Sequence, residues 1–286
     1  MLGKLMKHEW RKVSKVGLLL GGIALAIAFL FLIYMITPLW RGTFDDYSTW
    51  YTEALGFMAV IFWILLGFAV VIGITLGYKI YIAVRYHKTM FTDEGYLLHT
   101  LPVKPIQLLV SKICVAVVWD ILLSLWFILL ICFLIVVGAM SATGKEFAYV
   151  MEELMRSVTQ WFFDNKVTAI YNCLGLFVGP FFTYMILFGC QTIGSLSKRN
   201  KGLMGILVYF GVIVVRIIVY IFSAALINAS MAQTAYAQSI PAYAESSAYD
   251  QSRSINYLVQ FILQIIFAVV AFLWANYILN KKLDME

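Results

Sequence analysis

The stretch that decides the fold is residues 113–138, ICVAVVWDILLSLWFILLICFLIVVG. Only one of its side chains, Asp120, is acidic or basic. An α-helix rises about 1.5 Å per residue, so 26 helical residues span more than the roughly 30 Å hydrocarbon core of a bilayer. We therefore predict that this stretch crosses a membrane as a single α-helix.

Five more apolar stretches of similar length lie on either side of it. The predicted spans are residues 17–36, 54–76, 113–138, 167–191, 203–227 and 257–280. Hydrophobic residues make up 63% of the chain and charged residues 13%, whereas globular proteins are about half apolar and a quarter charged. The predicted fold is an all-α membrane protein with six transmembrane helices in a single transmembrane domain, residues 1–286.

The 21 lysine and arginine residues are unevenly distributed between the two sides of the predicted bundle. Fifteen fall on the side that holds both chain ends, five fall on the other side, and Arg216 lies within a span. Cytoplasmic loops of membrane proteins carry the excess of positive charge, so both termini are predicted to be cytoplasmic. This bias and attraction to anionic membrane lipids account for the net charge of +6, so we expect no nucleic-acid partner.

Residues 1–16 combine apolar and basic side chains in an amphipathic helical pattern. Trp10 lies on the apolar face, and Lys4, Lys7 and Arg11 occupy other faces. Helices with this pattern lie in the headgroup plane of a membrane. We predict such an interfacial helix here, able to transmit force from a cytosolic partner. The alternative is an ordinary basic flank of the first span.

Two charged and two amide side chains fall within the predicted spans. Asp120 lies in the third span and Arg216 near the centre of the fifth, and each charge is costly to place in lipid. Arg216 either lines a polar route or steadies a moving interface, or else it forms a structural pair with Asp120 or with carbonyl groups. Gln260 and Gln264 share one face of the sixth span, where hydrogen bonding to neighbouring helices is the favoured interpretation.

Glycine spacing and one proline predict how the spans pack. Gly73 and Gly77 are four residues apart, as are Gly175 and Gly179. This spacing is typical of close helix packing in membranes. Pro180 follows Gly179 directly and has no backbone N–H, so we predict a kink in the fourth span.

Two segments between spans differ in their predicted order. Residues 147–162 carry an apolar stripe opposite charged residues, which predicts a helix lying on the membrane surface or on neighbouring spans. Residues 228–254 are rich in Ala, Ser, Tyr and Gln, with Pro241 near their middle. We expect this second segment to have little regular structure unless a partner shapes it.

The sequence contains no pattern for catalysis or metal binding. No Gly-x-x-x-x-Gly-Lys-Ser/Thr loop is present to bind nucleotide phosphates. His8, His87 and His99 lie outside the predicted spans, and none pairs with another at the spacing of metal ligands. We therefore expect no catalytic residue, no metal and no cofactor in this chain. If ATP is used, another chain binds it.

Between the second and third spans, residues 91–103 have the sequence FTDEGYLLHTLPV. Thr92 can cap a short helix, acidic residues follow it at the positive helix end, and Pro102 prevents the helix from continuing. A simple turn needs far fewer residues. We predict that this coupling segment docks a cytosolic protein through Thr92, Asp93, Glu94, Gly95, Tyr96, Leu97, Leu98 and His99.

The same region resembles a known family. Residues 93–97 (DEGYL), 100–103 (TLPV) and 111–112 (SK) are similar to a pattern found in the membrane subunits of bacterial ABC-2 type transporters. The layout also resembles that family, with a basic amphipathic amino terminus, six spans and a loop between the second and third spans.

The resemblance implies a permease subunit of an ATP-driven exporter in the bacterial cell membrane. The coupling segment would dock on two cytosolic ABC ATP-binding subunits, which would hold the ATP and Mg²⁺. A second permease copy or a paralogue would complete the path for a peptide, lipid-like or drug-like compound. The alternatives are a secondary carrier or channel that works without ATP, and a membrane scaffold or sensor partner.

Overall fold

The structure is a computed structural model that describes residues 2–37, 50–92, 105–143, 146–164, 166–197, 201–237 and 242–281. Within these ranges every regular element is an α-helix. The helices are α1 (Leu2–Ile36), α2 (Trp50–Phe91), α3 (Pro105–Thr143), α4 (Phe147–Asp164), α5 (Lys166–Phe177), α6 (Gly179–Gly194), α7 (Lys201–Ala237) and α8 (Ala242–Lys281). The prediction of an all-α fold is confirmed.

Long apolar segments within these helices indicate a multi-pass membrane protein. In the described part of the chain, five are long and apolar enough to cross a membrane. They are Leu5–Met35, Ala54–Phe91, Ile106–Ser141, Lys201–Ile227 and Ser254–Leu279. α5 and α6 meet this condition only as a bent pair, so there are up to six spans, and the count of six stays a prediction.

The helices of the second and third spans are longer than hydropathy predicted. α2 continues to Phe91 because Ile82, Tyr86 and Met90, spaced four residues apart, bury one helical face. α3 likewise begins before its predicted span, at Pro105. Average hydropathy falls in these turns, but packing on one face keeps them helical.

α1 shows no break between the predicted interfacial part and the first span. Val13 is buried, and a β-carbon on Gly17 would overlap the ring of Trp119. Packing of α1 therefore extends across the predicted boundary. The headgroup-plane orientation of residues 1–16 stays a prediction.

Packing divides the chain into two compact units, which are described separately. The first comprises Met1–Met6, Tyr81–Val117 and Lys166–Glu286, and the second comprises Lys7–Ile80 and Val118–Asn165. α2 and α3 each contribute one end to each unit. The single transmembrane domain expected from the sequence stays a prediction.

α6 forms the centre of the first unit. It packs against α7 and α8, and residues 184–192 are all buried. A β-carbon on Gly189 would lie 2.7 Å from the β-carbon of Ala271. Glycine at position 189 therefore allows α6 and α8 to approach this closely.

The core of the second unit joins α1, α2 and α3. Ala24, Ile74 and Phe127, one from each helix, form a buried cluster. The rings of Trp10 and Trp119 also meet in this unit, with centroids 5.2 Å apart. α1 therefore packs against both α2 and α3 at its apolar core.

The glycine pairs singled out in the sequence are not the closely packed ones. β-carbons on Gly73, Gly77, Gly175 and Gly179 would meet no atom of a neighbouring helix within 4 Å. Among the described residues, no other helix of this chain packs closely on these pairs. Spacing places small residues on one face but does not show whether another helix covers that face.

The bend between α5 and α6 confirms the kink predicted for residues 167–191. The two helices meet at 46°. α5 ends at Phe177 and α6 begins at Gly179, with Pro180 in its first turn. The missing N–H of Pro180 removes one helical hydrogen bond at this point.

The predicted helix at residues 147–162 is confirmed as α4. Its large apolar side chains are exposed, including Phe147 (57%) and Phe163 (63%), while Val150 is buried. Such a face, left uncovered by the described helices, favours the membrane-surface alternative over packing on neighbouring spans.

The expectation of little regular structure at residues 228–254 is wrong. α7 continues to Ala237, and α8 begins at Ala242. Alanine has the highest helix propensity of the amino acids, and it is frequent in this segment. Local propensity therefore extends both helices toward Pro241, which lies outside the described residues.

Candidate functional site

The coupling segment joins the ends of α2 and α3. Thr92 is exposed just after α2, and its hydroxyl donates a hydrogen bond to the Lys88 carbonyl in the last turn of that helix. The other predicted docking residues lie outside the described part of the chain; they are Asp93, Glu94, Gly95, Tyr96, Leu97, Leu98 and His99. Their role as a docking site stays a prediction.

A buried hydrogen bond connects the two helix ends that flank this segment. The Lys112 ammonium of α3 donates to the Thr89 hydroxyl of α2 at 2.7 Å, and both residues are buried. Thr89 in turn donates to the Arg85 carbonyl at 2.9 Å. Burying a lysine is costly unless its charge is hydrogen-bonded, so this contact fixes the helix ends relative to each other.

The residue before Lys112 is buried as well. Ser111 is buried, and its hydroxyl donates to the Leu108 carbonyl at 2.8 Å. Ser111 and Lys112 together are the SK pair of the sequence pattern. Of this pair, Lys112 joins α3 to α2, whereas Ser111 bonds within its own helix.

Tyr86 connects the end of α2 to α6. Its ring stacks on Phe188, with centroids 4.3 Å apart and planes inclined by 12°. Its hydroxyl lies 3.1 Å from the Thr192 hydroxyl. Since Thr192 donates its own proton to the Phe188 carbonyl at 2.8 Å, we assign Tyr86 as the donor in this pair. We call Tyr86, Thr89, Lys112, Phe188 and Thr192 the anchor cluster.

Next to the anchor cluster, Gln191 is fully buried against Gly205 of α7. Neither polar atom of its amide has a hydrogen-bond partner among the described residues. An unpaired buried amide is costly, so this position is a marked exception in a well-packed helix.

Sequence reasoning named Lys112 only as part of a motif and missed Tyr86, Thr89 and Gln191. The four-residue spacing of Tyr86 and Met90 was a readable signal for a buried face. No signal in the sequence pairs Tyr86 with Thr192, because contacts between distant positions depend on the tertiary fold.

The residues predicted to contact the membrane surface differ in their surroundings. Lys7 and Arg11 are exposed, as expected for headgroup contact. Trp10 is only 39% exposed and contacts Trp119. Lys4 belongs to α1, and its side chain lies outside the described residues.

The two charged residues of the spans lie in different units. Asp120 is buried in the second unit, and Arg216 is half-buried in the first. The ring of Tyr171, also in the first unit, stacks on Tyr257 with centroids 4.6 Å apart. Pairing of Arg216 with Asp120 stays a prediction, and so does a transport role for either residue.

Both glutamines of the last span make interhelical hydrogen bonds, which confirms the favoured interpretation. Gln260 donates to the Ser223 hydroxyl of α7 at 3.3 Å. Gln264 donates to the Gly179 carbonyl at 3.2 Å, directly at the bend between α5 and α6. Gln264 therefore stabilises the bent geometry.

An apolar groove of about 600 Å³ lies in the second unit. Its walls come from residues 24–35 of α1, 60–71 of α2 and 127–139 of α3. The residues lining it are aliphatic or aromatic residues, methionine and glycine. Pockets of this size are common for small apolar ligands.

No three histidine, cysteine, aspartate or glutamate side chains come together as metal ligands would, as far as the described residues show. Comparison with models of protein families, with curated proteins and with solved structures finds no match to this chain.

Proposed function

We propose that this chain is the transmembrane permease subunit of an ATP-driven exporter. It forms the path for a peptide, lipid-like or drug-like compound and works with two cytosolic ATP-binding subunits and a second permease copy or paralogue. The ATP and Mg²⁺ are bound by the partner ATPase, and both termini of this chain are cytoplasmic in a bacterial cell membrane. The observation that supports the proposal most directly is the anchor cluster at the base of the coupling segment.

A segment that receives force needs a stiff attachment to the spans. The bond from Lys112 to Thr89 makes the ends of α2 and α3 move together. The stack of Tyr86 on Phe188 passes that movement to α6, which packs against α7 and α8. A displacement of the coupling segment by a cytosolic partner is thereby transmitted to several helices of the first unit.

A plain connecting loop does not need this attachment. Here Tyr86, Met90 and Leu108 are almost completely buried, although they lie within a few turns of the loop. Such burial supports a loop that carries load.

The test is to purify the tagged chain from membranes with its ATP-binding subunit and to measure ATP hydrolysis and export together. Glu94→Ala and Tyr96→Ala should weaken the association or uncouple hydrolysis from export. Glu152→Ala on exposed α4 is the matched control and should leave both unchanged.

Three outcomes would overturn the proposal. One is unchanged coupling in both the Glu94 and the Tyr96 variants. The second is transport by the purified chain alone, without ATP, which would favour a secondary carrier or channel. The third is a wild-type chain that retains a stable cytosolic partner but shows no transport, which would favour a scaffold or sensor.

A further inference from the structure

We propose that the apolar groove of the second unit is a binding site for one acyl chain of a membrane phospholipid. This inference does not depend on the proposed export function. It rests on the lining, length and opening of the groove.

The lining excludes polar ligands. Every side chain around the groove is apolar apart from the indole N–H of Trp63. A polar or charged group placed there would lose its hydration without gaining hydrogen bonds. Apolar cavities of this kind stay dry and bind hydrocarbon.

The groove is elongated along the helices. Its lining residues cover 24–35, 60–71 and 127–139, which is about 17 Å of helical rise on each of the three helices. In α2 and α3 these residues lie in the half of the helix that is remote from the coupling segment. An extended hydrocarbon chain fills such a space better than a compact ligand does.

The groove opens to the side, between α2 and α3. Its lining residues Phe68 of α2 and Ile135 of α3 are 64% and 53% exposed. Ala24, Ala28 and Met35 of α1, in contrast, are buried and form the floor. Because all three helices are candidate membrane spans at this level, the opening faces hydrocarbon, and a lipid chain enters without crossing water.

One wall of the groove is made rigid by aromatic contacts. The ring centroids of Phe31 and Trp63 are 5.3 Å apart, and those of Tyr34 and Trp63 are 5.7 Å apart. Aromatic side chains provide large contact area at low cost in side-chain entropy. This wall therefore keeps its shape when the groove is filled.

Gly67 provides a variant that fills the groove. It lines the groove, and a β-carbon placed on it would meet no neighbouring atom within 4 Å. Gly73 of the same helix has the same open space but does not line the groove. Gly67→Phe and Gly73→Phe therefore make the same change in α2, and only the first blocks the site.

The experiment measures lipid retained by the purified full-length protein, using native mass spectrometry in detergent. The two probes are palmitoyl-oleoyl-phosphatidylglycerol and palmitic acid, each added alone. Wild type and Gly73→Phe should retain one phospholipid. Gly67→Phe should retain about tenfold less, the loss expected when two or more methylene groups lose buried contact.

Gly67→Leu is the second variant, since it adds less volume and should fold even where Phe does not. Its retention should fall between those of wild type and Gly67→Phe. Equal retention in wild type, Gly67→Leu and Gly67→Phe would overturn the proposal. Retention of palmitic acid without phospholipid would overturn the assignment to a membrane lipid.

A change of oligomeric state in the Gly67 variants with unchanged lipid retention would also overturn it, because a second copy of the chain would then cover the groove. No nucleotide or ATP-binding subunit is present in this measurement. Its failure therefore leaves the exporter proposal standing, and failure of the coupling test leaves the lipid site standing.

Discussion

Gly194 of α6 and Gly205 of α7 lie so close that a β-carbon on Gly194 would overlap the backbone of Gly205. The two helices touch at this point through main-chain atoms, as small residues permit in membranes. The contact lies in the same helix as the buried anchor residues Phe188 and Thr192. The α6–α7 crossing therefore holds α6, and with it Phe188 and Thr192, against α7.

Gly194→Ala should lower the stability of the protein. The added methyl group has no space at the crossing, and overpacking of this kind costs about 1–3 kcal/mol. Thermal unfolding of the purified protein in detergent measures the effect. Gly211→Ala is the control, because its β-carbon would meet no neighbouring atom within 4 Å and alanine is favoured over glycine in a helix. Equal melting temperatures for the two variants would contradict the close crossing.

Thr89→Val and Lys112→Met should be strongly coupled in a double-mutant cycle. A hydrogen bond to a buried charged group contributes about 1.5–3 kcal/mol, and the double variant loses this bond only once. The cycle is measured from denaturation of the four proteins in detergent. Thr75→Val replaces Thr89→Val in the control cycle, since the Thr75 hydroxyl bonds to the Val71 carbonyl of its own helix. If the two substitutions in the first cycle change the free energy of unfolding additively, the bond between Lys112 and Thr89 contributes little to stability.

Gln191→Met should raise the stability of the protein. Methionine has a similar length, and the change removes an unpaired buried amide whose burial costs about 1–3 kcal/mol. Gln264→Met is the matched control. It should lower the stability of the protein, because it removes the hydrogen bond to the Gly179 carbonyl. Melting temperatures provide the comparison. A lower melting temperature for Gln191→Met would mean that its amide is satisfied in the folded protein.

Arg216→Gln should reduce the amount of folded protein while leaving transport per folded molecule unchanged. Arg216 is half-buried in α7, and a side chain of this length covers apolar surface with its aliphatic stem, which favours a structural role. Abundance is measured by fluorescence-detected size exclusion, and transport is measured with the ATP-binding subunit. Normal abundance with lost transport would instead assign Arg216 to a polar route.

The apolar pattern of the sequence predicted the helices well. Runs such as residues 113–138 are apolar almost throughout, so helix formation there follows from the need to satisfy backbone hydrogen bonds in lipid. Pro180 predicted the bend between α5 and α6 because its missing N–H acts locally. Features that depend on composition or on a single residue's covalent geometry were therefore readable.

Contacts between helices were not readable in the same way. Gly73 and Gly77 have the spacing of a packing motif but an open face, whereas Gly189 and Gly194 form close contacts. The difference depends on which helix covers each face, and the hydropathy of a sequence does not indicate which helices will be neighbours. The groove was not predicted for the same reason. Its walls come from three separate spans, and the apolar residues of each span by itself are indistinguishable from a lipid-facing surface.

Gly17 and Trp119 restrict which pairs of residues fit at these two positions. The indole occupies the volume that any side chain at position 17 would need. A side chain at position 17 therefore overpacks against the indole, and a smaller residue at position 119 alone leaves a void, so each change is costly without the other. Positions 17 and 119 are therefore expected to change as a pair.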